Sequence, residues 1–114
     1  SEKYIEAGLL LSNDKINEAK NIYENVILSN NKFYSLLSLN TILEKKLIED
    51  NKKILEYFTQ LEKKNYSRDL KDLILFKKAL YLMRNNNSES AKKILENLIK
   101  EDSNLKLSAQ EIIK

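Results

Sequence analysis

Apolar residues recur along this chain at intervals of three and four, and short polar clusters interrupt them. Tyr4 to Leu11 carries the first such run, and Ser12-Asn13-Asp14 breaks it. Ile16, Ala19, Ile22, Tyr23, Val26 and Ile27 form the next stripe, a spacing that puts them on one helix face. Asn13 or Asp14 is placed to cap that helix, and Ser29-Asn30-Asn31 ends it. Phe33 to Ile48 is apolar on most sides, with a polar strip through Ser35, Ser38, Thr41 and Lys45. This pattern predicts a central helix covered by its neighbours. Glu49-Asp50-Asn51 turns the chain into Lys52 to Lys64, with Ile54, Tyr57, Phe58 and Leu61 on one face. Ser67 reads as the next N-cap, with Asp69 at the positive end of a helix dipole. Leu73 to Met83 is again apolar on most sides. Asn85-Asn86-Asn87-Ser88 supplies a turn and an N-cap, and Ala91, Ile94, Leu95, Leu98 and Ile99 make a further one-faced stripe. Asp102-Ser103-Asn104 leads into a last short helix with Leu105, Ala109, Ile112 and Ile113 inward. The period-two alternation of a strand is nowhere sustained.

The stripes repeat. Ala19 to Ile54 is 35 residues and Ile54 to Ala91 is 37, and Tyr23, Phe58 and Leu95 keep the same offsets. Ile22, Tyr57 and Ile94 align in the same way, as do Val26, Leu61 and Leu98. Among the preceding helices Tyr4, Leu39 and Phe76 align, and so do Ala7, Ile42 and Ala79. A near-constant offset close to 34 residues, with two helices in each copy, is the pattern of a helical-hairpin solenoid. The expected fold is therefore all-α, a right-handed solenoid forming one domain over 1–114. Its helix pairs span approximately 2–29, 32–64 and 68–101, with a cap helix over 105–113.

In this respect the chain resembles the tetratricopeptide repeats. That family sets a small residue in the first helix and an Ala twelve positions later in the second, so that the backbones approach closely. Ala7 with Ala19, and Ala79 with Ala91, match that pair, and Tyr23 and Phe58 match the aromatic that follows. The middle repeat departs, with Ile42 and Ile54 in the small slots, and the family's Trp and closing Pro are missing. The departure implies wider packing of the middle pair. Arg68 through Ile113, with DLKDLILFKKALYL, SAKKILENLI and LKLSAQEII, is similar to the C-terminal part of bacterial tetratricopeptide-like proteins anchored in the inner membrane. Those proteins are associated with the protein-translocation channel and with periplasmic chaperones. The resemblance implies a domain facing the periplasm and tethered by an anchor outside these residues. A cytoplasmic location is the alternative.

Composition narrows the function without naming it. A single Gly and no Pro suit helices joined by short turns. At 114 residues with 42% hydrophobic and 32% charged content, the chain is a folded, water-facing domain. No apolar run reaches the roughly 18 residues that a membrane span needs. The absence of His and Cys removes the usual bases, nucleophiles and transition-metal ligands. Acid pairs such as Asp69/Asp72 and Glu101/Asp102 read better as helix-end charge, so no enzyme activity, cofactor or metal is expected. The net charge is +3, from 20 basic and 17 acidic side chains, and only Arg68 and Arg84 carry guanidinium. The lysine doublets 52–53, 63–64, 77–78 and 92–93 have acids nearby, so nucleic acid is not an expected partner. Tyr4, Tyr23, Tyr57, Phe58, Phe76 and Tyr81 read as packing residues with hydroxyls at the rim.

The surplus lies in the first helix of each pair, which lines the concave groove of a tetratricopeptide solenoid. The resemblance assigns that face to Tyr4, Gly8 and Leu11, then Leu36, Leu39, Leu43 and Lys46, then Leu73, Phe76, Leu80 and Met83. So apolar a face needs a cover. The covers are a client peptide, a second copy of the chain, a flanking helix, or curvature that lets the first helices bury one another. The expected function is a protein-binding scaffold or chaperone-like module. Structural self-association is the alternative, and a nucleic-acid-binding helical domain is a third reading. Whatever the partner, Ala91→Leu should overpack the third helix pair and lower stability by about 1–3 kcal/mol in denaturant titrations. An unchanged midpoint would detach Ala91 from the close approach assigned to it.

Overall fold

A computed structural model of the protein describes residues 1–114 and contains seven helices and no strand. The helices fall into two units, residues 1–64 and 65–114. The first holds α1 (Glu2–Ser12), α2 (Ile16–Ile27), α3 (Lys32–Glu44) and α4 (Asn51–Glu62). The second holds α5 (Arg68–Arg84), α6 (Ser88–Lys100) and α7 (Lys106–Ile113). No helix is long and apolar enough to cross a membrane.

In the first unit α2 is the hub, packed on α1, α3 and α4, and in the second α6 packs on both α5 and α7. The small residues follow this order. Ala7 and Ala19 are fully buried on α1 and α2, and Ala79 and Ala91 are fully buried on α5 and α6. These are the two intimate hairpins. Between α3 and α4 the equivalent positions are Ile42 and Ile54, both buried, and the two backbones come close at far fewer points. A branched side chain on each helix adds several carbons across the crossing and holds the axes apart.

Helix α3 is turned relative to the sequence expectation. Ser35 and Ser38, assigned to an outer polar strip, are both fully buried, whereas Phe33 is 63% exposed. The reason is steric: a face of two serines lets α3 approach the end of α2 as alanines would. Ser35 Oγ donates to Val26 O at 2.9 Å, joining Ser29 Oγ at 2.6 Å on a carbonyl of the last turn of α2. Ser38 Oγ is buried without a partner. Ile16, read as part of the inward stripe of α2, is likewise exposed at the first turn.

Helix ends also depart from expectation at α2 and at α6, where the N-cap Asn87 makes no side-chain hydrogen bond. Asn13 and Asp14 do not cap α2, whose N-cap is Lys15 with no side-chain hydrogen bond. They close α1 instead. Asp14 has φ 60°, and Lys15 N donates to Leu10 O at 2.9 Å. The same left-handed closure recurs at Lys46 (φ 52°), Asn86 (62°) and Asp102 (54°). In each case the following N–H reaches the carbonyl five residues back, at 3.0, 2.9 and 3.0 Å. Glycine usually fills this position; here Asp and Asn do, residues that tolerate it, and once a lysine. The expected cap at Ser67 forms, and Asn31 and Asp50, read only as turn residues, cap α3 and α4. Asn31 accepts from Tyr34 N, Asp50 from Lys52 N and Lys53 N, and Ser67 from Leu70 N.

Two chemically identical substitutions should therefore act in opposite directions. Ser35→Ala removes a buried hydrogen bond to Val26 O, which keeps Ser29 Oγ as a donor at 2.6 Å, and should destabilise by about 1 kcal/mol. Ser38→Ala removes a buried, unpartnered hydroxyl and should stabilise by a similar amount, about 1 kcal/mol. Equilibrium denaturation of both variants against the parent measures the pair, and a shared sign would contradict the orientation of α3.

Candidate functional site

The residues assigned to a groove are mostly half-buried, and the two units can be taken in turn. In residues 1–64, Tyr4, Leu11, Leu36 and Leu43 are half-buried, as is Gly8, whereas Lys46 is exposed. Leu39 is only 1% exposed and belongs to the core of that unit, because the rotation that buries Ser35 and Ser38 carries Leu39 inward with them. In residues 65–114, Leu73, Phe76 and Leu80 are half-buried and Met83 is 38% exposed.

Tyr4 organises the part in the first unit. Its ring lies 5.7 Å from Tyr23 at 65° and 5.3 Å from Tyr34 at 46°. Tyr34 stands edge-on to Phe33 at 5.0 Å. The Tyr4 and Thr41 hydroxyls share a hydrogen bond of 3.3 Å. Three helices thus meet at one ring. The first helices α1 and α3 are joined through side chains at this cluster, with Phe33 open to solvent at its outer end. Rings at these separations and tilts attract edge to face. Tyr34 was not singled out from sequence, because its side of α3 was read as the covered side.

A second constellation lies between α2 and α4. Glu24 is buried, and its carboxylate accepts a hydrogen bond from the Tyr57 hydroxyl and pairs with Lys53 Nζ at 2.6 Å. Burial by itself raises the Glu24 pKa, but the Lys53 and Tyr57 hydrogen bonds, with the charges of Lys53 and Lys20, outweigh it and hold the carboxyl below its usual value. Burial pushes the Tyr57 hydroxyl well up, and the Glu24 hydrogen bond and charge push it further. The hydrogen bond to Glu24 and its charge raise Lys53. Sequence reasoning missed this network because its members lie about thirty residues apart. At the second-helix stripes Glu24 aligns with Thr59 and Glu96, both exposed, so the repeat carries no warning of a buried acid.

Beside it a cleft of about 420 Å³ is lined by Lys20, Lys46, Leu47, Ile48, Glu49, Asp50 and Lys53. Its walls are of mixed sign, and Asp50 is engaged with the first N–H groups of α4. No group of three or more His, Cys, Asp or Glu side chains converges anywhere in the structure. Tyr57 is shifted away from ionisation, the wrong direction for a base or nucleophile at neutral pH. What the arrangement does is join helices. The basic doublets serve the same end in part, since Lys64 Nζ donates to Ser29 O at 2.6 Å. Arg68 likewise donates to Glu101 O within the second unit. No family model, curated protein or solved structure matches the chain.

The sign of the pH effect follows from the lowered Glu24 pKa. The ionised, paired carboxylate stabilises the fold at pH above its unfolded value, about 4.3, and that contribution disappears as pH falls through the folded value. Glu24→Gln should therefore cost about 1.5–3 kcal/mol at pH 7, the range for a hydrogen bond to a charged group. The gap to the parent should narrow towards pH 3. Denaturant midpoints for the two proteins at pH 7, 5, 4 and 3 test this; a gap that does not depend on pH would remove charge from the account.

Proposed function

We propose that the protein is a binding module of helical-repeat type, a right-handed solenoid of three helix pairs and a cap helix akin to tetratricopeptide repeats. Its partner is a protein or peptide engaged through the first helices of the pairs. The observation that carries the reading is the aromatic surface of the first unit. Tyr4, Tyr34 and Phe33 run in ring contact from α1 across α3, ending on a Phe that is 63% exposed. The 35- and 37-residue offsets support the repeat arrangement, and the buried Ala7/Ala19 and Ala79/Ala91 pairs stand where close helix approach calls for them. In the second unit Leu73, Phe76 and Leu80 of α5 are half-buried apolar residues in their own right. Large exposed aromatics are the side chains that anchor protein interfaces.

The likeness of residues 68–113 to inner-membrane-anchored bacterial proteins supports a scaffold or chaperone-like role at the periplasmic side of that membrane. Self-association is the second reading, since the same exposed Phe33 would serve a partner copy.

Sedimentation at micromolar concentration and titration with an amphipathic helical peptide, carrying Leu at i, i+3, i+4 and i+7, separate these readings. A monomer that binds the peptide with little change between 50 and 200 mM salt, and loses binding in Phe33→Glu and Phe76→Glu, is the expected result. A dimer dispersed by Phe33→Glu assigns the surface to self-association. Binding of oligothymidine that falls by orders of magnitude over about 50–200 mM salt, and is lost when Lys77 and Lys78 are both changed to Glu, would replace both readings with a nucleic-acid partner.

A further inference from the structure

Helix α4 is attached to its unit differently from the others. The backbones of α1 and α3 lie close along α2, whereas α4 comes near α2 and α3 at only a few points, held off by Ile42 and Ile54. Its apolar face is nevertheless buried, through Ile54, Tyr57, Phe58 and Leu61. Side chains, rather than close backbone packing, hold it.

Three polar contacts cross this joint at known partners. Lys53 in the first turn of α4 and Tyr57 at its middle both engage the buried Glu24 carboxylate, and just past its end Lys64 Nζ reaches Ser29 O. Each of these three contacts involves a charged group. Lys20 also acts on Glu24, and Asp50 and Glu56 act on Lys53. The connection from α3 runs through Lys46, left-handed at φ 52°, and past the open cleft of about 420 Å³. A chain segment with empty space beside it can bend without displacing packed atoms.

We propose that α4 opens as a unit from α2 and α3 before residues 1–64 unfold, hinged at residues 45–50 and latched by the Glu24 carboxylate. Opening uncovers the face of Ile54, Tyr57, Phe58 and Leu61, together with the surface of α2 and α3 beneath it. Local opening of this kind is seen where a segment has few close contacts and is held by separable bonds. The inference does not rest on the proposed binding surface, which is carried by the first helices α1, α3 and α5.

Native-state hydrogen exchange on the full chain tests it, using Glu24→Gln and Ser35→Ala. The logic rests on which bonds are broken in the open form. The Glu24 latch is broken when α4 opens, so Glu24→Gln should speed exchange at amides 54–61 by roughly 10- to 100-fold. The bond from Ser35 to Val26 joins α3 to α2 and survives the opening. Ser35→Ala should therefore speed the amides of α2, by roughly fivefold, and leave amides 54–61 unchanged. Equal acceleration of α2 and α4 by Ser35→Ala would mean that α4 exchanges only through unfolding of the whole unit. No response of amides 54–61 to Glu24→Gln would remove the latch. Either result overturns the proposal.

Discussion

How near two helix backbones can come depends on the side chains at their crossing, and that constraint shapes both units. Alanine on each partner permits contact over several turns, as in α1 with α2 and α5 with α6. Serine does the same work for α3 against α2, with the addition of a hydroxyl that bonds to Val26 O across the crossing. Where isoleucine occupies both places the backbones stand apart, and burial of large apolar groups has to hold the pair together. The contrast explains why α2 and α6 act as hubs while α4 is a more loosely held neighbour.

The connections work under a second restriction, a chain with one glycine and no proline. Four helices close through a left-handed residue, and none of the four is glycine. Asp and Asn accept that conformation readily, and they are abundant in the turns here. Lys46 has no such excuse, and it lies beside the cleft and at the proposed hinge of α4. Backbone strain of this kind persists only where surrounding structure holds it. The hydrogen bond from Leu47 N to Ile42 O at 3.0 Å is the holding contact.

Polar chemistry in this protein is cohesive. The buried Glu24 takes two donors from α4, Lys64 and Arg68 reach the carbonyls that follow α2 and α6, and Tyr57 is driven away from ionisation. The surface proposed to engage a partner is aromatic and aliphatic, centred on Tyr4, Tyr34 and Phe33. This division, with charge inside the joints and apolar rings at the edge, is the physical basis for reading the chain as a binding module.

Much of the architecture was legible from residue order alone. Helix periodicity and polar breaks set the seven helices, because a buried stripe needs three- and four-residue spacing whatever it packs against. The alanine pairs marked the close crossings, and the isoleucines marked the wider one, since side-chain volume is a local property. What residue order could not decide was rotation. On α3, apolar residues cover so much of the helix that the stripe gave no preferred direction, and only packing against α2 showed that the two serines face in and Phe33 faces out. That rotation moved Leu39 into the core and brought Tyr34 to Tyr4. The Glu24 network was hidden for a related reason. A buried carboxylate is tolerable only when donors from a distant segment meet it, and Lys53 and Tyr57 come within reach of Glu24 only once α4 lies against α2.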